Sequence, residues 1–481
     1  MTVYDKYEWV IGLEVHAQLN TRTKIFAADE ASFGAAPNAH ISPITLGLPG
    51  VLPRLNRAVL EKAIRMGIAC HCNISEVNHF ARKNYFYADL PKGYQISQDK
   101  LPICLGGYVS IEVDGKQRDI RLTRIHMEED AGKNNHELDP DFSLIDLNRA
   151  GVPLIEIVSE PDIHTSEEAY AYLTEIRKLV RFLDICDGNM EEGSLRCDAN
   201  VSVRLKGDTK LNTRVEVKNM NSIRNVKRAI EIEARRQIDI MESGGEVEQE
   251  TRSFNQADGT SFTLRSKEHA HDYRYFPEPD LPPVIIRQDT IEAIRAKMPM
   301  LPKELAEQFM REYQLPAYDA HVLTDDKEIA DYYQELVQRT AHYKAAANWV
   351  MGEIKSYLNE HHLTYADFTV RPKQIATILA LLHQDKINSN AAKTIFHKMA
   401  EGDPQSAQEI AESNNLLQSS DSNELEAWVQ QALATMPDKV AEYKKGKKGN
   451  LNLFMGIVMK ISKGKADPKL TTALLEKLLN Q

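Results

Sequence analysis

Cysteine is scarce in this 481-residue chain. The five present, Cys70, Cys72, Cys104, Cys186 and Cys197, are odd in number, scattered, and never at the C-x-x-C spacing. That argues against a disulfide framework and fits a reducing compartment. Cys70-His71-Cys72 offers adjacent ligands without a second spaced pair, so packed thiols explain it better than zinc. No apolar run nears the roughly 18 residues that cross a bilayer. Met1 is followed almost at once by Tyr4-Asp5-Lys6 and a strand, with no signal or transit pattern, so a cytoplasmic location without a membrane partner is expected. The phosphate-cradling patterns G-x-x-x-x-G-K-[ST] and G-x-G-x-x-G are both missing, and any nucleotide must be held by other means. Without a G-x-S-x-G or G-x-C-x-G elbow or a Ser/Gly-rich amidase stretch, the chain has no apparatus for hydrolysing an amide.

What is present is a globular composition, 42% hydrophobic and 27% charged, in a chain long enough for two to four domains. The net charge of −11 disfavours a nucleic-acid partner until its distribution is seen. Residues 438–481 hold ten lysines against four acids, a local balance of +6 that the total conceals.

Before about residue 290 the chain alternates in short segments punctuated by Asp114-Gly115, Gly207-Asp208 and Asp258-Gly259, signals of antiparallel hairpins. Two helical patterns interrupt them, at 166–183 and 221–242, the second capped by Ser222 and stopped by Gly244-Gly245. A proline-stiffened exit at 275–283 leads into helix-periodic sequence, with candidate helices at 302–313, 325–339, 342–361, 372–385 and 389–400. Glu401-Gly402-Asp403-Pro404 breaks this before a last helical unit. The fold class is α+β: an antiparallel-sheet domain at 1–293, an all-α domain at 294–402 and a small all-α tail at 403–481.

Trp9 to Leu19 alternates cleanly. Trp9, Ile11, Leu13, Val15, Ala17 and Leu19 share one face, and Gly12, Glu14, His16 and Gln18 the other. Glu14 and His16 therefore project side by side, able to hold a metal ion directly or through water; a solvated outer face would look the same. In 194–205, Leu195, Cys197, Ala199, Val201, Val203 and Leu205 form the apolar face, and Arg196, Asp198, Asn200, Ser202 and Arg204 the polar one. The partner strand at 212–218 turns Val215 and Val217 inward and Arg214, Glu216 and Lys218 outward. This hairpin face suits phosphates and a substrate carboxylate, or else it is a ladder of cross-strand ion pairs.

Glu156 lies among apolar neighbours in Pro153-Leu154-Ile155-Glu156-Ile157-Val158, and a buried carboxylate there needs a partner, a proton or a metal. His126-Met127-Glu128-Glu129-Asp130 ends in three consecutive acids that repel one another unless a cation intervenes or the turn is exposed. Arg82-Lys83 precedes the aromatic run Asn84-Tyr85-Phe86-Tyr87, which suits phosphate neutralisation beside a stacking wall, although a generic basic loop reads alike.

Six blocks then stand in one order: Gly12-Leu13-Glu14-Val15-His16; 82–87; 126–133, from His126 to Gly132-Lys133; 153–162, ending Ser159-Glu160-Pro161-Asp162; Glu192-Gly193-Ser194-Leu195-Arg196-Cys197-Asp198-Ala199-Asn200; and Asp272-Tyr273-Arg274-Tyr275-Phe276-Pro277-Glu278-Pro279-Asp280. In these, and on through the tail to Pro468, the chain closely resembles the B subunits of bacterial aspartyl/glutamyl-tRNA amidotransferases. The resemblance implies a cradle-shaped catalytic domain, a helical domain and a tail that grips tRNA. It also implies a heterotrimer, in which an amidase subunit supplies ammonia through a channel and a small third subunit braces the pair. The implied reaction uses ATP to phosphorylate the side-chain carboxylate of Glu on tRNA(Gln) or Asp on tRNA(Asn), after which ammonia displaces the phosphate. The resemblance further implies that Glu14, His16 and Glu129 surround magnesium, with Glu129 favoured over Glu128, that Glu156 and Asp198 complete the acidic wall, and that Lys83 faces ATP phosphate. Arg196 is assigned to ATP from the hairpin face itself. Some relatives carry a four-cysteine zinc site that the Cys70/Cys72 pair does not supply, so no zinc is expected. For the tail, Lys444, Lys445, Lys447, Lys448, Lys463 and Lys465, beside an apolar helix with Leu451, Phe454, Ile457 and Val458, are the expected tRNA phosphate contacts; no DNA partner is expected.

Overall fold

The computed structural model describes all residues except 1, 136–137, 140, 267–272, 419–421, 463 and 481. It divides into two compact units, Met1–Pro302 and Lys303–Gln481.

The first unit is built on one large sheet. Its principal strands are β1 (Tyr7–Gln18), β2 (Lys116–Glu129), β3 (Pro153–Ser159), β4 (Leu195–Leu205), β5 (Val215–Met220), β6 (Glu250–Asn255) and β7 (Thr260–Ser266). They lie in the order β7-β6-β5-β4-β1-β3-β2, continued by short strands at Cys104–Leu105 and Asn73–Ile74, with Tyr108–Val113 also pairing β2. Pairing is antiparallel throughout except between β5 and β6. The helix between those two strands explains the exception, because parallel neighbours need a crossover longer than a hairpin turn.

The three longest helices of the unit are α1 (Arg57–Ala69), α2 (Ser166–Phe182) and α3 (Ile223–Glu242); a shorter one spans Gln288–Arg295. Sequence periodicity identifies α2 and α3; α1 is an addition. Thr165 caps α2 by accepting from the Glu168 N–H, and Ser222 caps α3 by accepting from the Asn225 N–H at 3.1 Å. Gly244, at φ +80°, supplies the left-handed residue that ends α3. The core is formed by Ile11, Leu13, Val15 and Ala17 of β1 and Ala199 and Val201 of β4, together with Tyr172 and Ile176 of α2 and Val226 and Ile230 of α3. Each fully buried aliphatic side chain contributes about 1.5–3 kcal/mol. Leu205, expected on that face, is exposed because it ends its strand.

With one face committed to this core, the alternate residues of β1, β4, β3 and β2 share the opposite face. A small antiparallel sheet, Phe276–Pro277 with Ala81–Asn84 and Tyr94–Ser97, stands at the end of β2. The buried Glu278 accepts from Arg82 Nε and Nη2 at 2.8 and 2.9 Å, tying the proline-rich exit to this sheet.

The second unit is entirely helical among its described residues. Its helices include Pro302–Tyr313, Lys327–Val337, Pro372–His383 and Ser389–Ala400, and the expected 342–361 helix is interrupted by a π turn at Val350–Ile354. A separate apolar cluster in the last 60 residues contains Leu425, Val429, Phe454, Val458 and Leu475. Asn388 Nδ2 donates to the Gly464 carbonyl at 2.8 Å, linking the cluster to the preceding helices.

Candidate active site

Register brings the acids together. Arg196, His16, Glu156 and His126 form one cross-strand row over β4, β1, β3 and β2; Asp198, Glu14, Val158 and Arg124 form the next. Facing residues on adjacent strands have Cβ atoms about 5 Å apart, close enough for their side chains to meet.

In the first row, His16 Nε2 lies 3.5 Å from Glu156 Oε2 and 3.9 Å from Glu128 Oε1. His126 Nε2 lies 3.1 Å from the same Glu156 oxygen and 3.8 Å from Glu128 Oε2. Ser97 Oγ donates to Glu128 at 3.1 Å. Burial alone would lower both imidazole pKa values, but the two carboxylates outweigh it: His16 rises, and His126 rises to about 9. Against the cost of its own burial, Glu156 is held well below the usual carboxylate range by His126 and His16. His126 Nδ1 is buried with no hydrogen-bond partner among the described residues.

One ligand atom each from Glu14, Asp198 and Glu216 lies within 4.8 Å of the others, as do ligand atoms of His16, Glu128 and Glu156. Lys218 Nζ reaches Asp198 at 2.5 Å and Glu216 at 2.9 Å, while Glu14 accepts from Asn200 Nδ2 at 2.9 Å. Three carboxylates against one ammonium leave excess negative charge. Burial, followed by Glu156, Asp198 and Glu216, pushes the Glu14 pKa up. Both groups fit a divalent cation by the chemistry of their donors: hard oxygens in one, and oxygens with one imidazole in the other.

Of the residues selected from sequence, Glu14, His16, Glu156 and Asp198 converge here. Glu129 does not, because alternation along β2 puts Glu128 on the site's face and Glu129 on the other. There Glu129 is ion-paired with Lys92 and accepts from the Ile96 N–H at 2.8 Å. Glu128 therefore takes the place in the cluster expected for Glu129. Lys83 is kept charged because Glu128 overcomes the effect of burial; its Nζ lies 4.9 Å from the Tyr273 ring centre.

Arg196 is engaged differently from the expectation. Its Nη2 contacts both Asp130 oxygens, at 3.0 and 3.1 Å, and Gln18 Nε2 donates to the same carboxylate at 2.7 Å. Arg204 pairs with Glu8 at 2.8 Å across the β1–β4 register. The ladder reading thus describes Arg204 with Glu8 and Lys218 with Asp198, whereas Arg196 reaches past β1 and β3 to Asp130 beyond the end of β2. Sequence reasoning does not pick out His126 and Glu216 as site residues. A partial signal exists, since His126 and Glu128 share a face by parity, but recognising it requires knowing that β2 pairs with β3.

In the tail, Lys444, Lys445, Lys447 and Lys448 are exposed around the break between helices Pro437–Lys444 and Asn450–Ile461, and Lys465 is half-buried. Lys463 lies outside the described residues.

The arrangement is that of an acid-lined sheet face suited to divalent cations. Residues 9–292 match the family model of the GatB/GatE catalytic domain, and residues 331–479 match that of the GatB domain. Three similar proteins are named as the B subunit of an aspartyl/glutamyl-tRNA(Asn/Gln) amidotransferase. The protein from Syntrophotalea carbinolica is 50% identical over 474 residues, 98% of this chain and 99% of the relative. That from Chlorobium chlorochromatii is 49% identical over 473 residues, 98% and 99% respectively, and that from Thermodesulfovibrio yellowstonii is 46% identical over 477 residues, 99% and 100%. The chain belongs to this family of amidotransferase B subunits. No helix among the described residues is long and apolar enough to cross a membrane.

Proposed function

We propose that this chain is the carboxylate-activating subunit of a tRNA-dependent amidotransferase. It works with an amidase subunit that releases ammonia from glutamine and with a small third subunit. The substrate is Glu esterified to tRNA(Gln), Asp esterified to tRNA(Asn), or both. A side-chain carboxylate oxygen attacks the γ-phosphorus of ATP, and ADP leaves. Ammonia then attacks the acyl-phosphate carbon, phosphate leaves with the C–O bond, and the amide nitrogen loses a proton to water or phosphate. The observation that carries this reading is the convergence of two donor clusters on one sheet face, Glu14 of β1 contributing to one and His16 of the same strand to the other.

Magnesium bound at these clusters would neutralise ATP phosphate charge. Glu14, Asp198 and Glu216 would hold one ion, and His16, Glu128 and Glu156 the other. Lys83 stays cationic beside Glu128 and meets the phosphoryl group in transfer. The paired Arg196 and Asp130 tie the start of β4 to the end of β2 across the two strands between them, so their role is positional. In the tail, exposed lysines give tRNA phosphates a sequence-independent grip.

A reconstituted complex supplied with misacylated tRNA, glutamine and ATP tests this reading. Amidated tRNA and one phosphate per amide are expected. Absence of ATP consumption beside intact tRNA binding would instead support a non-catalytic tRNA scaffold.

A further inference from the structure

Lys83 is held by aromatic rings as well as by charge. Its Nζ lies 4.9 Å from the centre of the Tyr273 ring and 5.9 Å from that of Tyr85, and the two rings meet edge to face at 5.8 Å. A cation beside such ring faces is attracted by their quadrupoles, more strongly where water is excluded. The ammonium, which a flexible four-carbon stem would otherwise leave mobile, thus has a defined seat near Glu128.

Tyr85 follows Lys83 closely in sequence, but Tyr273 comes from a distant segment. Strand Ala81–Asn84 pairs with Phe276–Pro277, Arg82 standing opposite Phe276. Continued by two residues, that ladder would set Asn84 opposite Arg274. Pairing stops at Phe276 instead, and the Asn84 N–H donates to the Tyr273 carbonyl at 2.9 Å, one residue further along. The slip falls at Arg274, whose φ of +45° is left-handed, a conformation that a long L side chain adopts only when its surroundings impose it.

Asn84 supplies that constraint. Its Nδ2 donates to the carbonyls of Arg274 at 3.0 Å, Arg82 at 3.3 Å and Tyr273 at 3.4 Å, so one amide group spans the strand and the turn. Arg82, on the other side of Lys83, is fixed by its two hydrogen bonds to Glu278. The strand carrying Lys83 is therefore anchored, and the turn carrying Tyr273 hangs from it through Asn84. Asn84 itself belongs to neither donor cluster.

We propose that Asn84 is a positioning residue for Lys83: by holding the left-handed turn at Arg274, it sets the Tyr273 ring against the ammonium and fixes where that charge stands. This rests on the role given to Lys83 above, and adds that the charge is in place before substrate arrives. A preorganised charge stabilises a transition state without reorganising at the moment of reaction.

The reconstituted complex tests this with Asn84→Asp, Asn84→Ala, Tyr273→Leu and Tyr273→Phe. Asn84→Asp keeps the side chain's shape but has no N–H to donate, and Tyr273→Phe keeps the ring face. The first three are expected to lower kcat about ten- to a hundredfold, with KM for ATP and for aminoacyl-tRNA hardly changed. Tyr273→Phe should stay near wild type. A second readout follows Lys83 without turnover. Reductive methylation of the substrate-free complex, read by mass spectrometry against the exposed Lys210, should be faster at Lys83 in the three impaired variants and unchanged in Tyr273→Phe. Full kcat in Asn84→Asp or Tyr273→Leu overturns the proposal. So does a loss of kcat that tracks a fallen melting temperature while Lys83 labelling is unchanged, because Asn84 would then support the fold alone. If the wild-type complex forms amide without consuming ATP, the function proposed above fails, while the labelling rates still decide whether Asn84 positions Lys83.

Discussion

His16 and Glu156 face each other across adjacent antiparallel strands, Nε2 to Oε2 at 3.5 Å, and the same Glu156 oxygen lies 3.1 Å from His126 Nε2 on the next strand. One carboxylate therefore holds two imidazoles, His126 buried and His16 half-buried. Such a group cannot be removed without leaving two cations short of a partner, whereas a divalent ion can replace protons within it.

The clearest consequence separates two adjacent acids. Glu128→Gln is expected to weaken Mn²⁺ binding about 10–100-fold, because Glu128 joins His16 and Glu156. Glu129→Gln should leave Mn²⁺ affinity unchanged, since that side chain is turned to Lys92. Titration of the full chain by electron paramagnetic resonance measures both. Equal losses in the two variants would remove Glu128 from its assigned place.

Arg196 should behave as a structural cation. Asp130 is buried, and burial opposes the lowered pKa that Arg196 and then Arg149 impose on it. Arg196→Ala is expected to destabilise the first unit by about 1–3 kcal/mol, a range reduced because the arginine is partly exposed. Adding Asp130→Asn should recover part of that loss, as denaturant midpoints would show. An Arg196→Ala chain of full stability with a raised KM for ATP would return this residue to the nucleotide.

The polar faces of β1 and β4 are legible in the sequence because one buried face imposes a strict period of two. Glu156 betrays itself by its apolar neighbours, and α2 and α3 by their periodicity. The choice between Glu128 and Glu129 is harder, as three acids at a strand end do not show where alternation stops mattering. Nor can local pattern show that His126 faces Glu156, since strand pairing is a long-range property. The ion pairs of Arg196 and Arg204 depend on the same register, and until it is known a ladder and a phosphate surface read alike.

Lys24 carries a pH prediction. It is buried, with Nζ donating to the His40 carbonyl at 2.7 Å, and burial lowers its pKa to about 8 against the opposing pull of Asp29 and Glu129. Below about pH 8 both states are protonated, and the folded chain bears the full burial penalty. Between about pH 8 and 10.5 the folded chain has released the proton and the unfolded chain has not, so unfolding takes one up and stability rises with pH. The difference in unfolding free energy between wild type and Lys24→Met should therefore move in favour of wild type across that window. A pH-independent difference would place the Lys24 proton elsewhere.

The tail lysines are expected to differ among themselves. Lys448 lies 4.1 Å from the Tyr443 ring centre and 3.1 Å from Asn480 Oδ1, and Lys447 lies 3.6 Å from Glu442. Lys444 and Lys445 are exposed and make no ion pair among the described residues. A lysine that neutralises a phosphate releases a counterion and adds about 0.9 to the slope of log K against log salt. Lys444→Ala and Lys445→Ala should each lower the slope for tRNA by about 1. Lys447→Ala and Lys448→Ala should lower it less, because those ammonium groups must first leave their intramolecular partners. Filter-binding isotherms across a salt series measure the four slopes, and four equal values would mean that the internal contacts do not compete with tRNA.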